Sequence, residues 1–258
     1  MAVHVPDPEA AWERIRASQR RKLLLPSLLG MTFATGIVDA VSYLAIGSVF
    51  TANMTGNAVL LGFGMAGSFD FSFSRSLLAL VLFAAGSAAA GRLSRTWHHT
   101  PFIWFRRVTG IEIVLIAVTA LLMLGLQTGI DTPDEPLRYL AIAVLSFAMG
   151  LRNATVRRLG FSDVPTTVLT STITDVSSDS LLGGGERRRE WVRLSAIAAM
   201  ILGAFAGALL VKVSTLAALL GVEAVLLAVA AHQSWIAITV PRQVPRPQPG
   251  LQPADPAP

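Results

Sequence analysis

The chain has 258 residues, of which 53% are hydrophobic and only 14% charged, and its mean hydropathy is +0.58. Soluble domains carry about 25% charged residues, so this composition excludes an ordinary soluble protein and predicts an all-α, polytopic helical membrane protein. The net charge of +5 does not indicate a nucleic-acid-binding protein, because the basic residues cluster at the ends of apolar segments, as they do in cytoplasmic loops.

The N-terminal residues 1–24 are polar and basic, which predicts a cytoplasmic tail rather than a signal peptide. Apolar segments long enough to span a bilayer as helices follow at about 25–48, 75–93, 108–128, 137–156, 192–212 and 215–236. Two further segments, 50–68 and 165–183, are shorter or more polar, and they are predicted to be re-entrant or broken helices. Residues 241–258 are Pro-rich and are predicted to form a disordered tail.

The membrane-spanning part repeats itself, because four sequence blocks recur in the same order. The pairs are "FATGIVDAV" (33–41) with "FAMGLRNAT" (147–155), "ANMTGN" (52–57) with "TVLTST" (167–172), "AAGSAAAGRL" (84–93) with "ILGAFAGALL" (201–210), and "GIEIVLIAV" (110–118) with "GVEAVLLAV" (221–229). Four matches in order indicate an internal duplication. It divides the chain into a first membrane repeat over 25–130 and a second over 137–238.

The distribution of basic residues distinguishes two topologies. If all eight segments cross, 13 of the 21 Lys and Arg residues lie on the N-terminal side of the membrane, whereas 18 do if the two short segments enter and leave on one side. The second topology is therefore predicted, with six crossings and both termini cytoplasmic. Three crossings per half place the halves in opposite orientations. Such inverted repeats occur in secondary transporters, where broken helices form sites near the midplane.

Asp39 lies within the first span, where an ionisable side chain costs roughly 2.5–3.5 kcal/mol to insert and commonly faces an interior pathway. The alternative is a structural hydrogen bond that holds helices together, and the sequence leaves both roles open. Asn53, Thr55, Gly56 and Asn57 follow, with Gly56 permitting a break or a close backbone approach. We expect this group to line a solute pathway from one face; the alternative is that it only packs helices.

The second half supplies a corresponding set that is predicted to line the other face: Asn153, Thr167, Thr170, Thr174 and Asp175. Glu112 and Glu223 open the last long helix of each half. They are either interfacial acids near a helix N-terminus, with Glu112 paired to Arg106 or Arg107, or symmetric coupling carboxylates along the pathway.

Arg152 precedes Asn153 and is interpreted as a topogenic cytoplasmic arginine, the alternative being that it neutralises Asp39 or an anionic substrate. Small residues at spacings near four predict close helix packing and also allow a homodimer. They are Gly86, Gly91, Gly203 and Gly207.

Motifs for nucleotide binding, zinc-dependent proteolysis and serine hydrolysis are absent, and His98 and His99 have no further metal-ligating neighbours in sequence. The chain also has no cysteine, which excludes disulfides, thiolate metal sites and a cysteine nucleophile. The sequence therefore predicts no cofactor, no metal site and no enzymatic activity, and it does not support ATP-driven transport by this chain.

"TGIVDAVSYLAIGSVFTANMTGN", "FAMGLRNATVRRLG" and "TTVLTSTITD" resemble the YoaK-like family of bacterial integral membrane proteins, over about residues 25–235. The resemblance implies a bacterial inner-membrane protein, but the family is a domain of unknown function, so it implies no substrate or catalytic residue. The match includes Asp39, Asn53 and Asn57. Ser171 departs from the glycine expected in many relatives, which argues against a tight break in the second segment.

These features predict a small secondary transporter or channel for a small polar or ionic solute. A proton- or sodium-coupled mechanism would use Asp39. The alternative is a non-transporting membrane scaffold, whose basic loops bind a cytoplasmic partner or anionic lipid.

Overall fold

The protein is all-helical in the computed structural model, which describes residues 8–67, 73–96, 101–128, 135–159 and 187–239. Within these ranges there is no β-strand, and a π-helical turn, Ser42–Gly47, extends the first helix. The seven α-helices are α1 (Pro8–Val41), α2 (Met54–Met65), α3 (Phe73–Thr96), α4 (Pro101–Thr128), α5 (Glu135–Arg158), α6 (Arg187–Val213) and α7 (Thr215–Thr239).

Six helical segments are long and apolar enough to cross a membrane, which confirms the number of spans predicted from the sequence. They are Leu23–Gly47, Phe73–Arg95, Phe102–Leu124, Glu135–Arg158, Trp191–Val213 and Thr215–Thr239. The fourth helix starts earlier than predicted. Its first turns already have a buried face, with Trp104 and Phe105, and an exposed face, with Arg106 and Arg107. The two arginines are therefore part of the helix, because their long side chains can lie along an apolar surface with the charge exposed.

The N-terminal segment 1–24 also differs from a simple tail, because α1 already begins at Pro8. Proline is favoured in the first turn of a helix, where its missing N–H has no intrahelical partner. The helix therefore continues without interruption from residue 8 into the first span. The predicted second short segment, 165–183, and the tail 241–258 lie outside the described residues.

The spans of α1 and α5 form the centre of the bundle. About two thirds of each span is buried inside the protein, at 67% and 61%, whereas the spans of α3 and α6 are 22% and 17% buried. The outer helices instead present large apolar side chains at the surface, such as Val81 on α3 and Phe205 on α6. This arrangement suits a protein whose solvent is lipid, because no polar shell is needed around it.

Two helix pairs approach each other through glycines. A Cβ at Gly36 of α1 would meet the backbone of α6 at Met200 and Gly203, and a Cβ at Gly150 of α5 would meet the Phe83 carbonyl oxygen of α3. Without side chains between them, the backbones pack in direct contact. The predicted packing role is confirmed for Gly203, whose added Cβ would meet the Phe33 carbonyl oxygen.

The same holds for Gly86, where a Cβ would meet the Phe147 carbonyl oxygen, and for Gly207, where it would meet Ile37 and Ala40 of α1. Gly91 is looser, because its nearest neighbour would be the Arg158 guanidinium at 3.4 Å.

Side-chain contacts fix the relative directions of the central helices. Arg138 near the start of α5 donates to the Ile46 carbonyl oxygen at 3.1 Å, while Arg152 near its end donates to the Met31 carbonyl oxygen at 3.2 Å. Helices α1 and α5 are therefore antiparallel. We call the two ends of the bundle the Leu23 end and the Gly47 end, after the limits of the first span.

The remaining spans alternate in the same way. Helix α3 runs parallel to α5, since Ser74 contacts Tyr139 at one end and Gly86 contacts Phe147 further along. Helix α7 runs antiparallel to α1, because Ser27 lies 2.8 Å from His232. The first residues of α3 and α5 consequently lie at the Gly47 end.

Candidate functional site

The strongest candidate site is an ion pair buried between α4 and α5. Arg152 Nη1 lies 2.8 Å from Glu112 Oε1, and both side chains are 0% exposed. Arginine remains charged in proteins, so its burial requires an anion beside it. Glu112 supplies that anion. Both of its carboxylate oxygens, and Arg152 Nε, make no hydrogen bond within the part of the chain that the structure describes.

Helix α1 completes the coordination of the guanidinium. Arg152 Nη2 donates to Thr35 Oγ1 at 2.5 Å, Nη1 donates to the Met31 carbonyl oxygen at 3.2 Å, and the Met149 sulfur is 2.9 Å from Nη2. The Met31 carbonyl is also the acceptor for the Thr35 hydroxyl at 2.9 Å. Three helices, α1, α4 and α5, therefore converge on one charged group.

Glu112 and the α1 partner of Arg152 lie near the middle of their spans, whereas Arg152 itself lies six residues from the end of the span Glu135–Arg158. Thr35 is the central residue of the span Leu23–Gly47, and Glu112 is one residue from the centre of Phe102–Leu124. A charged side chain at such depth costs a few kcal/mol even when it is paired, and such residues commonly mark a pathway or relay.

The interpretation of Arg152 as a topogenic cytoplasmic arginine is wrong. The sequence does indicate that Arg152 is buried, because it lies on the same helix face as three apolar residues at three- and four-residue spacing. These are Leu145, Met149 and Val156, and the structure buries all three together with Arg152. Glu112 is likewise not interfacial. The structure pairs it with Arg152, rather than with Arg106 or Arg107, because its helix begins eleven residues earlier and carries it into the bundle.

Asp39 lies one turn beyond Thr35 on α1 and is 5% exposed. Its Oδ1 accepts the backbone N–H groups of Thr51 and Ala52 at 3.1 and 2.9 Å. These N–H groups belong to the stretch between the π-helical turn and α2, where no helix supplies an acceptor. The carboxylate therefore holds the non-helical connection, and it is also close enough to Arg152 for electrostatic attraction.

Asn57 fixes the same connection from α2. Its amide nitrogen donates to the Phe50 carbonyl oxygen at 2.5 Å, and its Oδ1 accepts the Phe50 N–H at 2.9 Å. Asn53 is the N-cap of α2, and its side chain accepts the Gly56 N–H at 3.2 Å. Gly56 has no Cβ because the Phe50 ring lies 2.8 Å from where a Cβ would be. Three of these four predicted pathway residues thus build the turn, and the fourth, Thr55, is exposed.

Glu223 is half-buried on α7, and its Oε1 is buried without a hydrogen bond among the described residues. It lies within electrostatic range of Glu112. We call Asp39, Glu112, Arg152 and Glu223 the central charge cluster. Glu112 is paired with Arg152, Asp39 is attracted to the same guanidinium, and Glu223 adds a third carboxylate near Glu112. The carboxylates therefore outnumber the guanidinium, so the cluster can attract a cation or protons. No three His, Asp or Glu side chains come close enough to hold a metal ion in the described ranges.

Asn153, the repeat counterpart of Asp39, is half-buried on α5 beside Arg152. The other second-half candidates lie outside the described residues: Thr167, Thr170, Thr174 and Asp175. Sequence reasoning did not single out Thr35. Its signal was the four-residue spacing of Met31, Thr35 and Asp39, which places all three on one helix face.

Comparisons with known proteins agree with a membrane-embedded assignment. Residues 27–232 match a family model described as "Protein of unknown function (DUF1275)". The chain is also similar to the "UPF0700 transmembrane protein YoaK" of Bacillus subtilis (strain 168), with 35% identity over 166 residues that cover 63% of this chain and 68% of that protein. No solved structure matches the chain.

Proposed function

The chain belongs to the DUF1275 family of proteins of unknown function. From its central charge cluster we propose that it is a small secondary transporter or channel for a small polar or ionic solute. The observation that carries this proposal is the Arg152–Glu112 pair, which is fully buried and whose Glu112 lies one residue from the centre of its span. A buried ion pair adds little to stability compared with an apolar replacement, so its presence favours a role in binding over one in stability.

An inverted repeat supports the proposal, and the packing is consistent with one. Gly36 and Gly150 are equivalent in the sequence repeat, and each contacts the backbone of the partner repeat, at Met200 and Phe83 respectively. Met200 and Phe83 are themselves equivalent positions. The antiparallel directions of α1 and α5, the equivalent helices in the predicted repeat, support opposite orientations of the two halves, as proposed for transporters whose sites lie where the repeats meet.

We propose further that α2 is re-entrant. The support is that both of its neighbours in the chain meet at the Gly47 end of the bundle. A Cβ at Gly47 would lie 3.1 Å from Arg75 of α3, and a Cβ at Gly64 of α2 would lie 2.9 Å from the Phe73 nitrogen. The Asp39 hydrogen bonds hold residues 51 and 52 two turns deeper than Gly47. The chain would thus descend from Gly47, turn, and return through α2.

The proposed pathway is lined by the central charge cluster and, from the second half, by Asn153; the predicted contribution of residues 165–183 lies outside the described residues. Glu223 has an Oε1 that is buried without a hydrogen bond in the described ranges, and unlike Glu112 it is not paired with Arg152, so we propose it as the acid that binds a proton or cation. The localisation that goes with this proposal is a bacterial inner membrane, with both termini cytoplasmic.

The test is flux through purified protein in liposomes. Charge-transfer currents after concentration jumps of Na+, K+, H+, Cl− and acetate, together with light-scattering changes for glycerol and urea, cover ionic and neutral solutes. We expect at least one solute to move faster than through empty liposomes. That flux should fall at least tenfold in Glu223→Gln and persist in Arg157→Gln, a matched control at an exposed position on α5.

Equal flux in protein-containing and empty liposomes, from protein that is monodisperse, would contradict transport and favour the scaffold alternative. Flux that is unaffected by Glu223→Gln and Glu112→Gln would support transport by another route and reject the central charge cluster as its site.

A further inference from the structure

A basic cleft separates α4 from α7 at the Leu23 end of the bundle. It has a volume of about 290 Å³, and it is lined by Arg106, Arg107 and Gly110 of α4 and by Gln233 and Ser234 of α7. Arg106 Nη2 donates to Ser234 Oγ at 3.4 Å, which places a guanidinium at the mouth. The cleft is separate from the central charge cluster and has no role in the proposed pathway.

The cleft opens towards lipid rather than towards the centre of the bundle. One face of α4 is exposed at three- and four-residue spacing, at Ile103, Arg107, Gly110, Val114, Val118 and Leu121. An acyl chain can therefore run along Val114 and Leu121 from a headgroup seated in the cleft.

The cleft is lined by a buried polar side chain that has an unused hydrogen-bond acceptor. Gln233 is 0% exposed; its Nε2 donates to Thr109 Oγ1 at 3.1 Å, but its Oε1 accepts no hydrogen bond among the described residues. A buried amide oxygen without a hydrogen-bond donor is unfavourable. A ligand hydroxyl would satisfy it.

We propose that this cleft binds the headgroup of an anionic phospholipid that ends in hydroxyl groups, with phosphatidylglycerol as the simplest case. The phosphate pairs with Arg106 and Arg107, which form charge-assisted hydrogen bonds to phosphate oxygens. A glycerol hydroxyl donates to Gln233 Oε1. The acyl chains follow the apolar face of α4, in keeping with basic pockets between spanning helices that hold lipid headgroups.

Gly110 offers a direct test. A Cβ added there would meet no atom within 4 Å, so Gly110→Leu introduces a side chain into the cleft from an unobstructed position. Gly62→Leu on α2 is the matched control, because it is equally unobstructed and lies outside the cleft. Arg106→Gln removes one phosphate contact, and Arg157→Gln removes an exposed charge elsewhere.

Binding is measured by native mass spectrometry of detergent-purified protein with phosphatidylglycerol, phosphatidylcholine or glycerol 3-phosphate. We expect one phosphatidylglycerol to bind per wild-type chain, and its affinity to be about fivefold lower in Arg106→Gln because one basic contact is lost. In Gly110→Leu we expect binding to be lost. The melting temperature of that variant should be unchanged or higher, because leucine has a better helix propensity than glycine. Both controls should bind as wild type. Undiminished binding by Gly110→Leu, or equal binding of phosphatidylcholine, would overturn the proposal. Equal affinity for glycerol 3-phosphate would show a site for free organophosphates instead.

Discussion

The residue that dominates the interior is Arg152. Its guanidinium bonds to α1 through Thr35 and the Met31 carbonyl and pairs with Glu112 on α4, so three helices depend on one side chain. Removing one partner of a buried pair leaves the other charge uncompensated, whereas replacing both with apolar groups removes the desolvation cost as well.

This asymmetry gives the first prediction. Arg152→Met and Glu112→Leu should each lower the free energy of unfolding by about 3–5 kcal/mol, and the double variant should lose clearly less than the sum. Titration with SDS, followed by circular dichroism, measures all three. Strict additivity would mean that the 2.8 Å contact contributes no coupling between the two residues.

Asp39 acts through backbone groups, and a second prediction follows from its acceptor role. Asp39→Ala should orphan the N–H groups of Thr51 and Ala52, at about 1–3 kcal/mol each, while Asp39→Asn keeps one oxygen acceptor and should lose less than half as much. Hydrogen exchange at these two amides reports the effect. Equal exchange in wild type and Asp39→Ala would show that the carboxylate does not hold the turn.

At the scale of elements, the glycine contacts decide which helices pair. Gly203 of α6 and Gly150 of α5 each face a carbonyl oxygen of the neighbouring helix, which leaves no room for a methyl group. Helix–helix association in lipid depends on such close packing, because lipid supplies no hydrophobic drive between apolar surfaces.

The third prediction compares glycines in contact with a glycine in open space. Gly203→Ala and Gly150→Ala should each destabilise the fold by about 1–3 kcal/mol through overpacking, despite the better helix propensity of alanine. Gly62→Ala on α2 is unobstructed and should stabilise by up to about 1 kcal/mol. The same SDS titration measures both. If all three variants behave alike, packing at these positions does not hold the helices together.

The sequence could predict the spans because each is a long apolar segment, and its length and hydropathy are enough to identify it as a candidate spanning helix. It could also predict the polar interruption after the first span. It could not predict the partner of Glu112, because pairing between α4 and α5 depends on which faces meet. Arg152 was misread for the same reason: a basic residue near a basic helix end looks topogenic until its face is known to be buried.

Asp39 and Asn57 show a related limit. Their polarity indicated a site, but the structure uses both to bond backbone groups at residues 50–52. From the sequence alone, a polar side chain that stabilises a turn cannot be distinguished from one that binds a ligand. The two roles differ in which groups hydrogen-bond to the side chain, and only the structure shows those groups.

At the scale of the whole molecule, the directions of the spans determine on which side of the membrane each helix end lies. The end of α2 and the end of α5 should be on opposite sides, because α2 ends beside the start of α3 and α5 runs parallel to α3. The proposed six crossings also require α1 and α5 to run in opposite directions, in agreement with the Arg138–Ile46 and Arg152–Met31 contacts.

The natural absence of cysteine makes the fourth prediction simple to test. With an impermeant maleimide on intact cells, Ala66→Cys should label, and Arg157→Cys should label only after permeabilisation. Both positions are exposed in the described structure. Labelling of residue 157 but not residue 66 would mean that α2 crosses the membrane, and the two halves would then be parallel.

The length of α1 has a mechanical consequence. The helix starts fifteen residues before its span, which adds a helical extension of about 22 Å at 1.5 Å per residue. Pro26 lies inside α1, between this extension and Met31, Thr35 and Asp39. A proline in a helix interior removes one backbone hydrogen bond and favours a bend at that point. A change of about ten degrees in such a bend would move the first residue of α1 by roughly 5 Å while the residues that contact Arg152 and the turn after the first span stay in place.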